Sequence, residues 1–404
     1  MSDHREEEDM RKYWLGGIAA VLLGGTALAA DEGVFQDRRP STTFLDAFGG
    51  SETAQPAPDN PSEVQVAEPS AAADARYRVI GVGDIMMGSD WPQPYMDERL
   101  TPGASPASVF GEDLAGLLAS GDITFGNFEG TLHESSEGAK YCRNPAVCYT
   151  FRSPPFHADF LKDAGFTLVS NANNHARDFA ENGRKLTYDN LARTGMAVSG
   201  GDQDGMRFGV QALEDGRTAV LVAFGHNPGL MQVGDLDRVS SLVREADELG
   251  DIVVVSCHIG AEGAKYDRVT RAREMFLNED RGNPYAFAHT AVDAGADIVL
   301  CHGPHIPRAV EIYKDRFIAY SLGNFYTFGR FNLRDVNGQV PIADLVVDGE
   351  GRVKEARIVS ARQDRPGRPY LDPTNAAADT TARLTARDFP EAGITFAPDG
   401  TLSW

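Results

Sequence analysis

Tyr77-Arg78-Val79-Ile80-Gly81-Val82-Gly83-Asp84 is an apolar, β-branched run that stops at a glycine and a carboxylate. It reads as a first strand leading into a functional loop. Short apolar runs then alternate with amphipathic stretches. The runs predict strands at Ile123–Asn127, Thr167–Asn171, Thr218–Phe224, Asp251–Cys257 and Asp297–Cys301. The stretches between them predict helices near Ala107–Ala119, Phe156–Ala164, Gly183–Arg193, Val239–Leu249 and Tyr285–Ala294. Strands alternating with helices predict an α/β fold whose sheet is largely buried. Further on, Ala309–Tyr313, Phe317–Ser321, Pro341–Val347 and Lys354–Val359 resemble consecutive antiparallel strands, and one short helix follows near Ala376–Ala386. The expected organisation is a main domain over 76–330 and a small β-rich C-terminal part over 331–404 that completes it.

The ends of these strands carry the chemistry. Asp84 follows the first strand, Asn127 and Glu129 end the second, and Asn173, Asn174 and His175 follow the third. His258 follows Val253–Val255, and His302 and His305 follow Ile298–Leu300. In α/β sheets, functional groups gather at the carboxyl ends of strands. Each residue also has a plainer reading: Asp84 as a turn or cap residue, Glu129 as a loop carboxylate, His258 as a core histidine. Together, carboxylate, amide and imidazole groups brought to one edge suit a divalent ion such as Mn, Fe or Zn. In His302-Gly303-Pro304-His305, Gly and Pro fix a tight turn that can aim both imidazoles at one point. His4, His133, His157 and His289 do not join this set; His226 is the remaining histidine to check.

Upstream, no charge interrupts Tyr13–Ala30, which follows Arg11-Lys12 and ends in Ala27-Leu28-Ala29-Ala30. This pattern predicts a secretory signal over 1–30, with an uncleaved membrane anchor through 13–30 as the alternative. Residues 31–75, rich in Ala, Pro, Ser and Glu, read as a flexible tether. Both readings put the rest of the chain in the periplasm or cell envelope. Cys142 and Cys148 then suit a local disulfide, whereas Cys257 and Cys301 read as small buried thiols at strand ends. The absence of a C-x-x-C pair excludes a zinc ribbon. The chain has 404 residues and a net charge of −21 with no basic run, which argues against nucleic acid as a partner.

The blocks Gly83-Asp84-Ile85-Met86-Met87-Gly88, Asn127-Phe128-Glu129-Gly130 and Ala172-Asn173-Asn174-His175-Ala176-Arg177-Asp178 resemble those of the bacterial capsule-synthesis family of CapA/PgsA type. So do His258-Ile259-Gly260-Ala261-Glu262, His302-Gly303-Pro304-His305 and Tyr320-Ser321-Leu322-Gly323-Asn324-Phe325. That family is associated with poly-γ-glutamate and other capsule polymers, and its fold is similar to calcineurin-like metallophosphoesterases. The resemblance implies a two-layer or four-layer α/β sandwich, with a mixed central β-sheet, around one or two divalent ions. It implies Asp84, Glu129, Asn174, His258, His302 and His305 as metal ligands and His175 as the general acid for the leaving oxygen. Two positions depart from the metallophosphoesterase pattern. Met86 stands where a histidine is expected, and the last histidines are spaced H-x-x-H instead of H-x-H.

Around this set, Glu262 could orient His258 or be a solvated loop carboxylate. Arg152 could offer a donor fork to an anionic substrate or lie on the surface near the Cys142–Cys148 loop. Asn324 could line the pocket or serve a turn. Two functions follow as expectations. One is an exported metal-dependent hydrolase acting on a phosphoester substrate or an anionic envelope polymer. The other is a non-catalytic scaffold of a membrane-bound capsule synthesis complex. The acidity of the chain would repel an anionic polymer, so a bound cation would have to offset that repulsion locally.

Overall fold

The computed structural model describes residues 74–143, 148–203 and 205–404. The signal or anchor expected at 13–30, and nearly all of the tether, lie outside the described residues. Among the described residues no helix is long and apolar enough to cross a membrane.

Two mixed sheets form the centre. In the first, Arg76–Met86 lies between Ile123–Phe128, to which it runs parallel, and Gln339–Asp348, to which it runs antiparallel. Leu168–Ser170 and Ala197–Ser199 extend the parallel side, and Val353–Asp364 and Arg368–Leu371 the antiparallel side. Asn324–Thr327 pairs in parallel with the end of Arg76–Met86. In the second sheet, Thr218–Gly225, Ile252–His258, Ile298–His302 and Arg316–Ala319 run parallel. Antiparallel strands Phe208–Ala212 and Val310–Tyr313 form its edges.

Alternation along each strand explains the layering. Ile252 and Val254, with Ile298 and Leu300, pack against Val79, Phe125 and Leu345 of the other sheet. Their neighbours Val253, Val255 and Val299 pack outward against the helices Leu236–Leu249 and Pro284–Asp293. Ile80, Val82 and Phe128 likewise pack outward on the helices Glu112–Ala119 and Phe156–Asp163. The result is a four-layer α/β/β/α sandwich, and burial on both faces is why the strands read as continuous apolar runs.

Several boundaries differ from the sequence reading for local reasons. The first expected helix is broken at Gly111, whose φ of 80° ends Pro106–Phe110 before Glu112–Ala119 begins. Asp235 and Asn283 cap the helices at Leu236 and Pro284, about three residues and one residue earlier than periodicity alone suggested. The later strands do not form one meander. Val310–Tyr313 and Arg316–Ala319 belong to the second sheet, whereas Gln339–Asp348 and Val353–Asp364 join the first. The helix Ala376–Asp388 contributes Leu384 to the apolar layer outside the second sheet.

Cys142 and Cys148 are bridged. Cys257 and Cys301 are not free thiols as expected: they form a second disulfide. They stand opposite each other on adjacent parallel strands, a juxtaposition that a single strand's sequence does not reveal.

Candidate metal centre

The parity that sends Cys257 and Cys301 outward turns the next residues, His258 and His302, toward the first sheet. On the facing strand, Val82 and Ile85 both pack outward although three residues apart, because the register shifts between Gly81 and Asp84. This bulge turns Asp84 inward toward His302. Gly83 is required there. A Cβ would lie 2.1 Å from the carbonyl oxygen of Gly323, and that same carbonyl accepts the Asp84 N–H at 2.9 Å. The turn after His302 has Gly303 at φ 117° and His305 at φ 57°, which returns His305 over the strand ends.

These movements bring together residues distant in sequence. Nδ1 of His305 is 2.8 Å from Asp84 Oδ2 and 3.2 Å from Asn324 Oδ1. Nε2 of His305 lies 3.6 Å from Glu129, and Nδ1 of His302 lies 3.6 Å from the other Asp84 oxygen. The Asn127 side chain donates to Asp84 at 2.7 Å, and the Asn173 side chain donates to Asn127 at 3.2 Å. Asn127 and Asn173 therefore hold the carboxylate in place.

The same group contains buried donors and acceptors that no protein atom satisfies. Glu129 Oε2, Asn174 Oδ1 and both ring nitrogens of His258 and His302 are buried without a hydrogen-bond partner. One ligand atom each from Glu129, His258 and His305 falls within 4.8 Å of the others. Leaving such atoms unpaired is costly, and oxygen and imidazole donors converging in this way fit a divalent cation.

The charged groups at this edge act strongly on one another. Burial raises the Asp84 carboxyl, but the hydrogen bond and charge of His305, with His302 and Asn127, hold it below the ordinary range. Glu129 is pushed up to about 7 by burial, against the pull of His305 and with the added repulsion of Asp84. Burial opposes charge on His305, yet Glu129 and Asp84 push it up to about 10. Burial, with the neighbouring histidines, keeps His258 well below the usual histidine range and His302 at about 4, so both rings are neutral donors.

His175 stands beside this group. Its Nδ1 donates to Asp178 Oδ2 at 2.8 Å, and its ring packs 4.2 Å from that of Phe151, centre to centre. Asp178 is itself fixed by the Phe151 N–H at 2.8 Å and Lys140 Nζ at 2.5 Å. A cleft of about 210 Å³ opens over the group, lined among others by Glu129, Asn174, His175, Glu262, His305 and Arg330.

Two expected roles are corrected. Glu262 does not orient His258: it lines the cleft and pairs with Arg281 at 2.8 Å. Arg152 does not face the cleft. It pairs with Asp90 at 2.7 Å, donates to the Glu134 and Ser135 carbonyls, and lies over the Trp91 ring. His226 stacks on His258 at 6.0 Å between ring centres, and its Nδ1 is 3.3 Å from the His258 carbonyl oxygen. Asp178, bonded to His175, and Arg330, in the cleft wall, stand outside the expected set. Asp178 had a signal, three residues after His175 on a turn; Arg330 had none.

A four-layer α/β sandwich with carboxylates and histidines from both sheets meeting at one edge defines a layered α/β protein with a candidate metal centre. The chain belongs to the bacterial capsule synthesis protein family PGA_cap, whose sequence profile it matches over residues 78–328. It is similar to the PGA biosynthesis protein CapA of Bacillus subtilis (strain 168), at 29% identity over 60% of this chain and 61% of that one. It is also similar to the capsule biosynthesis protein CapA of Bacillus anthracis, at 28% identity over 60% and 58%. The matched part thus spans about three fifths of those relatives. The solved Haemophilus influenzae NAD nucleotidase overlaps in outline at a TM-score of 0.34 and 7% identity, over 77% of this chain and 56% of that one.

Proposed function

We propose that this protein is an exported, metal-dependent hydrolase of phosphoester type that acts in capsule or poly-γ-glutamate biosynthesis. The observation that carries the reading is the set of unpartnered buried donors of Glu129, Asn174, His258 and His302 beside the His175–Asp178 pair. Asp84, Glu129, Asn174, His258, His302 and His305 would hold the ion or ions. A bound divalent cation supplies Lewis acidity toward phosphoryl oxygens and water. The chain's residues supply the remainder. Asp178 fixes the His175 tautomer and ring orientation, so that the opposite nitrogen is free to pass a proton to a departing oxygen. Phe151 holds the imidazole plane and shields one face from water. Export is supported by the cysteines: all four of the sequence are in disulfides, as suits an oxidising compartment.

A second reading, a capsule-complex scaffold without catalysis, is favoured by Met86. It is fully buried where the resemblance calls for a histidine ligand. One experiment separates the two. The full chain is purified, its metal content measured, and bis(p-nitrophenyl) phosphate hydrolysis followed with Mn or Zn, beside His175→Ala and His302→Ala. The hydrolase reading expects bound metal and turnover that falls in both variants. Wild-type protein that binds metal yet turns over no faster than the variants supports the scaffold.

A further inference from the structure

We propose that Arg330 is the anion-binding residue of the cleft. Its guanidinium would take a carboxylate or phosphate group of the ligand remote from the histidine cluster. This deepens the substrate-binding reading above and rests on it.

The other cations around the site are committed. Lys140 is paired with Asp178 at 2.5 Å, Arg152 with Asp90 at 2.7 Å and Arg281 with Glu262 at 2.8 Å. Arg177 lies 3.6 Å from Glu181 and donates to the Pro228 carbonyl. Arg330 is the one Lys or Arg among the described residues that line the cleft, and it has no carboxylate partner among them. Its charge stands 5.8 Å from the centre of the Tyr149 ring. A planar fork of donors backed by an aromatic ring is suited to carboxylate or phosphate oxygens.

The placement of Arg330 is also tied to the cluster. It follows the strand Asn324–Thr327, whose first residue touches His305. Gly329 has φ 99°, donates to the Pro366 carbonyl at 2.7 Å, and is packed so tightly that a Cβ would sit 2.4 Å from the Tyr95 ring. Phe331 packs against Phe151 with ring centres 5.5 Å apart, and Phe151 packs against His175, both pairs tilted. The rest of the wall includes Glu129 and Glu262, on a chain of net charge −21. A polyanion entering such a cleft needs a cation near its mouth as well as one at its floor.

The test compares wild-type full chain, Arg330→Gln and Arg330→Lys, all loaded with Mn, by titration calorimetry with two probes. γ-Linked triglutamate offers carboxylates; inorganic pyrophosphate offers phosphates. The expected result is about tenfold or greater weakening of one or both probes in Arg330→Gln, with partial recovery in Arg330→Lys. Weakening confined to triglutamate assigns the site to carboxylates, and weakening confined to pyrophosphate assigns it to phosphates. Equal affinity of wild type and Arg330→Gln for both probes overturns the proposal, as does failure of wild type to bind either. Thermal midpoints show that the variants are folded. If wild type binds a probe but hydrolyses no bis(p-nitrophenyl) phosphate, the hydrolase reading fails while the comparison still decides the role of Arg330.

Discussion

Asp178 accepts the Nδ1 proton of His175 at 2.8 Å and is held for that task by the Phe151 amide and the Lys140 ammonium. The pair resembles the imidazole–carboxylate half of a catalytic triad in logic, since the carboxylate selects one tautomer and holds the ring in place. Asp178→Asn keeps the shape and removes the charge. Its kcat for bis(p-nitrophenyl) phosphate is expected to fall by about 10²–10⁴-fold, with metal content unchanged. An unchanged kcat in a metal-replete variant would remove Asp178 from the mechanism.

The Cys257–Cys301 bridge joins the strands one residue before His258 and His302. The two cysteines are 44 residues apart, for which chain-entropy reasoning gives about 4 kcal/mol of stabilisation. Replacing both by alanine is therefore expected to lower stability by up to this amount in chemical denaturation. It is also expected to weaken metal affinity, since the two histidines lose a covalent tether. A double variant as stable as wild type would show the bridge to be energetically idle.

Arg308 and Glu274 form a two-pronged buried pair, at 3.0 and 2.9 Å, that joins the loops following His302 and His258. Glu274 also accepts the Ala261 N–H at 2.8 Å. Arg308→Met leaves a buried carboxylate without its cation and is expected to cost about 3–5 kcal/mol. The double variant with Glu274→Met should recover much of that loss, because no charge is then stranded. Urea unfolding of the four proteins in the cycle measures this, and a double variant no better than the single one would contradict it.

His157 lies fully buried on the helix Phe156–Asp163, with neither ring nitrogen hydrogen-bonded. Burial pulls it down to about 3. Because the folded value lies below the unfolded one, its contribution is complete above about pH 6.5. It is lost as the pH falls from there toward 3. At pH 5 the loss amounts to about 2 kcal/mol. His157→Phe should therefore flatten the acid side of the stability profile without changing its slope above pH 7. Parallel acid-side slopes in urea titrations at pH 5 and 8 would rule this out.

Much of the architecture was legible because burial on both faces writes uninterrupted Val, Ile and Leu runs, such as Ile252–Val255 and Ile298–Leu300. Short strands such as Ala197–Ser199 and Asn324–Thr327 were not legible. Three or four residues carry too little pattern, and their pairing partners lie far along the chain. The split into two sheets was hidden for the same reason: sequence does not say which face of a buried strand meets another sheet.

By itself, the sequence determined which residue types stand at the ends of which strands, because a strand ends where apolar alternation gives way to Gly, Asn, Asp and His. That placed Asp84, Asn127, Glu129, Asn173, Asn174, His175, His258, His302 and His305 in one candidate set, from which the family resemblance picked the expected ligands and acid. Only the tertiary structure decided how they meet. The bulge before Asp84, the left-handed turn at His305 and the parity shared by His258 and His302 aim side chains of two sheets at one point. Among the described residues around the cleft, the structure also separated paired arginines from Arg330. Arg152, Arg281 and Arg330 are alike as letters, and only their carboxylate neighbours in space leave Arg330 facing the cleft.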